Sequence, residues 1–300
     1  MKLLTYKSGT GKKENIGILT SEGTSIIPLT SIDPGMEGMG MIDFIKDHTP
    51  AEIALLSKAE ERKDHFTTFE LDLIQVVAPI SRPVHDILCV GVNYMSHLDE
   101  AHRGLQDDHF TEKPEKTIYF GKRASKIIGT GDPIEARTDL DRELDYEVEL
   151  AVIIGKEGKD IPREEAEEYI FGYSVFNDIT ARTLQRDHVQ YLRGKSLDTF
   201  SIMGPVIVTR DELPFPLELD VLSSVNGEIR QHSNTKHMIN DVAGIIADLS
   251  AGMTLEPGDI IATGTPAGVA MGMDNPVYLK PGDKVACAIP KIGMLINEVI

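Results

Sequence analysis

From about residue 85 onward the chain is built of short Val-, Ile- and Leu-rich runs separated by turn residues. They are Ile87 to Val92, Thr117 to Phe120, Val148 to Ile154, Tyr173 to Phe176, Val206 to Val208, Leu217 to Val225, Asp259 to Thr263 and Lys284 to Ala288. Runs of that length and composition read as strands. Helical pattern is confined to Arg163 to Tyr169, Ile179 to Gln190 and Met238 to Ser250. A doubly wound fold would alternate strand and helix regularly, and this chain does not. The expected architecture is therefore mixed α/β and mainly β. Upstream, residues 1 to about 30 alternate apolar and polar positions between glycines, which suggests a few short strands, and Met41 to Lys46 and Ala51 to Lys63 are rich in helix formers. Pro79-Ile-Ser-Arg-Pro83 reads as a linker. The expected division is a small β-rich N-terminal extension, 1–78, and a larger domain, 79–300.

Charge and cysteine usage narrow the possible partners. A formal net charge of −18 repels phosphate backbones and argues against nucleic-acid binding. An anionic small molecule can still bind where a metal or particular Arg and Lys residues reverse the local field. The two cysteines, Cys89 and Cys287, lie among aliphatic neighbours and read as buried hydrophobes, which fits a reducing compartment. The opening Met-Lys-Leu-Leu-Thr-Tyr-Lys lacks the apolar run of a signal peptide, and no stretch approaches the roughly 18 apolar residues of a membrane span. A cytoplasmic protein without a membrane partner is expected.

Chemistry concentrates in two segments. In Leu144-Asp-Tyr-Glu-Val-Glu-Leu-Ala-Val-Ile-Ile154, strand alternation places Glu147 and Glu149 on one face, roughly 6 to 7 Å apart at the backbone. A solvated edge is the ordinary reading of an isolated Glu-x-Glu. Here the following Ala-Val-Ile-Ile run points into the core, where two unpaired carboxylates are costly and a shared cation removes the cost. In the second segment, Gly172 to Gln185, a strand is expected to pass into a helix at Asp178, which would put Asp178, Arg182 and Gln185 on one helical face. Asp178 as a plain helix cap paired with Arg182 is the alternative. Oxygen ligands without thiolate or imidazole favour Mg²⁺, Mn²⁺ or Ca²⁺ over zinc.

Several common motifs are absent. Gly194-Lys195-Ser196 resembles the end of a phosphate-binding loop, but Val189 stands where that motif needs its first glycine. No Gly-x-Gly-x-x-Gly follows a strand, and neither a Gly-x-Ser-x-Gly elbow nor a His-Glu-x-x-His pair occurs.

Seven ordered blocks carry a resemblance to a known family: Val90-Gly-Val-Asn-Tyr-Met-Ser-His-Leu-Asp-Glu100, Phe120-Gly-Lys-Arg-Ala-Ser125, Asp145-Tyr-Glu-Val-Glu-Leu150, Asn177-Asp-Ile-Thr-Ala-Arg182 with Gln185, Gly194-Lys-Ser-Leu-Asp-Thr-Phe200, Val225-Asn-Gly-Glu228 and Pro257-Gly-Asp-Ile-Ile-Ala-Thr-Gly-Thr-Pro-Ala-Gly-Val269. Together they resemble the fumarylacetoacetate hydrolase family, over residues 85 to 300. The resemblance implies a catalytic domain of the β-roll type, assembled as a homodimer. It implies Glu147, Glu149 and Asp178 as metal ligands and His97 with Glu100 as a catalytic pair on a lid segment that orders over substrate. Lys195 is implied as a catalytic cation, and Arg182, Gln185 and Thr265 as substrate-side residues. His102, His109 and the acidic Asp107-Asp108 are expected to belong to the lid rather than to the chemistry.

The expected reaction follows from those roles. A 2-oxo acid can chelate a divalent cation through its carboxylate and 2-oxo oxygen, which favours an enolate. For a 2,4-dioxo (acylpyruvate or fumarylpyruvate) substrate, His97 assisted by Glu100 would activate a water against the distal carbonyl, and carbon–carbon cleavage would release pyruvate enolate. Oxaloacetate decarboxylation or tautomerisation uses the same enolate and is the alternative; a hydratase, an isomerase or a non-catalytic binding scaffold ranks lower.

Overall fold

The computed structural model describes residues 1–9, 11, 13–105 and 114–300. Its spine is an eleven-stranded sheet. From one edge the order is Phe69–Glu70, Ser25–Pro28, Asn15–Leu19, Lys2–Ser8, Ser201–Thr209, Ile170–Asp178, Val148–Ile154, Ile260–Ala262, Ile87–Gly91 and Ile118–Lys122, with Ile74–Val77 also paired to Lys2–Ser8. All the pairings are antiparallel except that of Ile260–Ala262 with Ile87–Gly91. The N-terminal strands thus continue the main sheet through the contact of Lys2–Ser8 with Ser201–Thr209. The fold is mixed α/β and mainly β.

Both faces of the central strands are covered, which is why Val148–Ile154 and Ile170–Asp178 are buried at every position. Val148, Leu150, Val152 and Ile154 face one hydrophobic layer, shared with Val221, Val285, Cys287, Ile289 and Leu295 of a second, four-stranded sheet. That sheet runs Glu228–Asn234, Asp220–Val225, Lys284–Ile289, Gly293–Glu298. Ala151 and Ile153 face the opposite layer, with Phe171, Phe176 and Met203, against Met41, Phe44 and Ile45 of the N-terminal helix Met41–Asp47. Cys89 and Cys287 are both free and buried.

Three local expectations needed correction. The 144–154 segment is not one strand: Leu144–Asp145 pairs with Thr180–Ala181, the strand proper starts at Val148, and Glu147 sits in the break between them. The helix after Asp178 begins at Arg182, because Asp178 completes its strand and Thr180–Ala181 is spent in the short pairing. Glu228–Asn234 and Gly293–Glu298, the two outer strands of the smaller sheet, went unnoticed in the sequence. Glu228–Asn234 is mostly polar and has one buried position, Gln231, while Gly293–Glu298 exposes Met294 and Ile296 and buries Asn297, so neither shows the apolar-in, polar-out alternation of a half-buried strand.

Candidate active site

Strand parity brings the acids together. Glu149 alternates in phase with Ala151 and Ile153, and Asp178 with Phe176, which is the residue opposite Glu149 across the antiparallel pair. The two carboxylates therefore leave the same face at the same end of neighbouring strands. Glu147 joins them from the break just before its strand. Its backbone is tied in by Asp178 N–H donating to Glu147 O at 2.9 Å and by Glu147 N–H donating to Asn177 Oδ1 at 3.1 Å. Each of the three carboxylates offers an oxygen within 4.8 Å of the others. All three side chains are buried. Of the described residues, Gly264 N–H donates to Glu149 Oε2 at 2.8 Å. Burial, reinforced by the charges of Asp178 and Glu147, pushes the Glu149 carboxyl well above the usual carboxylate range. This all-oxygen set, with one acid destabilised as an anion, fits a divalent cation.

Three buried cations answer the acids. Arg182 donates from Nε to Asp145 Oδ2 at 2.9 Å and reaches Glu147 Oε1 from Nη1 at 2.7 Å; the same Nη1 donates to Gln185 Oε1 at 3.1 Å. Lys195 bridges Glu147 Oε2 and Asp178 Oδ2 at 2.7 Å each. Lys122 donates to the other Asp178 oxygen, to Phe200 O at 2.7 Å and to Ile179 O at 3.1 Å. Burial by itself would raise the Glu147 carboxyl, yet Lys195, Arg182 and His97 together hold it down at about 2. Burial likewise works against the Lys195 ammonium, but Asp178 and Glu147 outweigh it and keep its pKa above the ordinary lysine range. Lys122 goes the other way, its burial outweighing the help of Asp178.

His97 lies on the helix Met95–Leu105 and is buried. Its Nδ1 is 3.0 Å from Glu100 Oε2, one helical turn on. Gly268 carries the turn that receives Glu100: its φ is +108°, and a Cβ there would lie 2.0 Å from Arg230 O. Only glycine satisfies both conditions. Over these groups lies a cavity of about 30 Å³ lined by His97, Glu147, Arg182, Gln185, Lys195, Thr265, Phe120 and Tyr191 among others.

Of the nine residues singled out from the sequence, six thus line one cavity, His97, Glu147, Arg182, Gln185, Lys195 and Thr265; Glu149 and Asp178 lie behind it in the acid cluster with Glu147, and Glu100 reaches it through His97. Thr265 has a scaffolding contact as well: its hydroxyl donates to Val148 O at 3.0 Å and accepts from Gln231 Nε2 at 2.7 Å. His109 and Asp107-Asp108 fall outside the described residues. Sequence reasoning passed over three contributors. Lys122 and Asp145 lie inside the family-like blocks, where the resemblance implies no role for either. Asp145 also accepts Ala270 N–H at 2.8 Å and Met271 N–H at 3.0 Å, which ties Arg182 to the 270–271 loop. Gln231 accepts Val148 N–H at 3.1 Å and holds the Thr265 turn. The one signal for Lys122 was a lysine placed inside an aromatic strand, where a charge needs a buried partner.

Known proteins place this site in context. A family model described as "Fumarylacetoacetate (FAA) hydrolase C-terminal" matches residues 86–300. Oxaloacetate tautomerase YisK of Bacillus subtilis is 44% identical over 231 residues, covering 77% of this chain and 75% of that protein. The mitochondrial oxaloacetate tautomerase fahd2 of Xenopus laevis is 36% identical over 302 residues, covering 100% of this chain and 90% of that protein. Among solved structures, maleylpyruvate hydrolase from Sphingobium sp. SYK-6, in complex with manganese(II) and pyruvate, superposes with a TM-score of 0.77 at 30% identity, covering 100% of this chain and 99% of that one. No helix among the described residues is long and apolar enough to cross a membrane. With a matched domain spanning more than two thirds of its length and a relative similar from end to end, this chain belongs to the fumarylacetoacetate hydrolase family of enzymes.

Proposed function

We propose that the protein acts on small anionic 2-oxo acids at a divalent-cation site made by Glu147, Glu149 and Asp178, and that its reaction is the keto–enol interconversion of oxaloacetate. The observation that carries this reading is that His97, paired with Glu100, shares one cavity with Glu147, whose carboxylate belongs to the cluster of three acids. Mg²⁺ or Mn²⁺ suits the oxygen donors best, with Ca²⁺ also compatible. When bound, such a cation supplies the Lewis-acid charge that favours the enolate form of a 2-oxo acid. His97, oriented at Nδ1 by Glu100, leaves its other ring nitrogen to take the proton from the carbon next to the 2-oxo group and pass it to the enolate oxygen, and to carry it back in the reverse direction. Lys195 and Arg182 offset the negative charge of the substrate. Closure of the helix keeps water away from the enolate. The two relatives named as oxaloacetate tautomerases support this choice.

The neighbouring maleylpyruvate hydrolase, which binds manganese and pyruvate, supports hydrolysis of 2,4-dioxo acids as a second reading. There His97 would deprotonate water for attack on the distal carbonyl, with pyruvate leaving. A cytoplasmic homodimer completes the proposal, and light scattering at micromolar concentration checks the dimer. The functional test follows the enol absorbance of oxaloacetate, with acylpyruvate cleavage measured in parallel, before and after EDTA. Chelator-sensitive tautomerisation faster than any cleavage is expected. Faster cleavage would favour the second reading, and full turnover by Glu149→Ala would rule out the carboxylate site.

A further inference from the structure

Asp178 stands between two lysines that hold it in different ways. Lys122 is wholly buried and is absent from the cavity wall; its three ammonium protons have three acceptors, Asp178 Oδ1, Phe200 O and Ile179 O. Lys195 lines the cavity, and its ammonium bridges Glu147 Oε2 and Asp178 Oδ2 at 2.7 Å each. Because Arg182 takes Glu147 Oε1 and Lys122 takes Asp178 Oδ1, every oxygen of these two acids already faces a protein cation. A divalent ion held by the same carboxylates would approach their oxygens to about 2.0–2.6 Å. An ammonium kept in its present bridge would then face that ion across a few ångströms of unscreened interior, where like charges repel strongly.

Resting on the metal-site reading above, we propose that Lys195 and the metal compete for Glu147 and Asp178. Lys195 is an exchangeable counter-cation that withdraws into the cavity as the metal arrives, whereas Lys122 is a fixed clamp that keeps Asp178 aimed at the site. The withdrawn ammonium has a place to go: the Phe120 ring on the cavity wall, whose centroid is already 5.6 Å from Nζ. The device explains how so acidic a cluster stays folded before it is loaded. It also delivers a positive charge to the substrate side only once the metal is present.

The two lysines carry the same charge and touch the same aspartate, so a purely electrostatic view predicts that removing either one tightens metal binding. The proposal predicts opposite signs. Mn²⁺ alone is titrated calorimetrically into full-length protein stripped with chelator, comparing wild type, Lys195→Met and Lys122→Met. Lys195→Met should bind Mn²⁺ about tenfold tighter, the effect of releasing one charge-assisted contact. Lys122→Met should bind it about tenfold or more weaker, as expected when a residue orienting a ligand is lost. Lys195→Gln and Lys122→Gln, read by the Mn²⁺-induced rise in Tm, give the same comparison if a methionine variant does not fold. Unchanged or weaker binding by the Lys195 variants overturns the competition. Tighter binding by the Lys122 variants overturns the clamp. Wild type that binds no Mn²⁺ overturns the metal-site reading and this inference together.

Discussion

Glu100 accepts the backbone N–H of Gly268 with both carboxylate oxygens, at 2.9 and 3.2 Å. The same carboxylate holds His97 Nδ1, so one side chain refers the imidazole to the 268–272 loop. Gly272 lies flush against it, and a Cβ there would fall 2.3 Å from the Glu100 Cδ. Gly272→Ala should therefore displace the Glu100 carboxylate from Gly268 N–H and His97 Nδ1, and lower kcat/KM for oxaloacetate by roughly 10²-fold, the effect of a misplacement near 1 Å. Mn²⁺ affinity should hold, and proteolytic cleavage within residues 95–105 should quicken. Unchanged kcat/KM with unchanged cleavage would contradict the docking role.

Removing the imidazole itself should separate the reactions that share this site. His97→Ala is expected to lose about 10² to 10⁴-fold in tautomerisation or acylpyruvate hydrolysis, the ordinary contribution of a general base. Oxaloacetate decarboxylation needs no base at the start and should fall less. Glu100→Gln should follow the same order more weakly. Equal losses in all reactions would show that His97 serves closure or binding instead.

Arg182 is paired with Asp145 and Glu147 away from water. Arg182→Met leaves two buried carboxylates short of a cation, and loss of one partner from a buried ion pair destabilises by about 3–5 kcal/mol. Urea unfolding of the chelator-treated protein measures it. A change near zero would mean that the acids find other partners or take up protons at no cost.

The surface pair His85–Asp259, with Nδ1 to Oδ1 at 2.7 Å, gives a pH signature remote from the site. The hydrogen bond to Asp259, opposed by slight burial, raises the His85 pKa above its ordinary value of 6.5. A raised folded-state pKa contributes stability that is fully present below the unfolded pKa and is lost as pH rises through the folded one. Wild type should therefore exceed His85→Ala in Tm at about pH 6 and lose that margin by about pH 9. The margin should be small, since half of the imidazole is in solvent. A margin that grows with pH would refute the assignment.

Much of the β-rich domain was legible in advance because central strands announce themselves locally. Val148–Ile154 is apolar from end to end after its opening Val-Glu, and that run matched the observed strand, although its expected extension back to Leu144 did not. The outer strands of the second sheet were missed for the converse reason, since Glu228–Asn234 spends its alternate residues on solvent. Asp178 was placed on a helix because strand-to-helix passage is easily read one turn early. Its side chain still reaches the acids, as strand parity points it there.

The sequence by itself determined the chemistry available: three acids of the right kind, a His-x-x-Glu pair one helical turn apart, and a chain acidic enough that any anion must be bound by local cations. The acids and the charge are matters of composition and short-range periodicity, and the role of the His-x-x-Glu pair came from the family resemblance; neither needs knowledge of the fold. Only the tertiary structure decided who holds whom. Lys122 meets Asp178 across 56 residues, Asp145 meets Ala270 across 125, and Glu100 meets Gly268 across 168. Such contacts depend on sheet register and on loops closing over one another, so no local pattern encodes them. They decide which lysine is fixed and which faces the cavity, and that division follows from burial on opposite sides of one carboxylate.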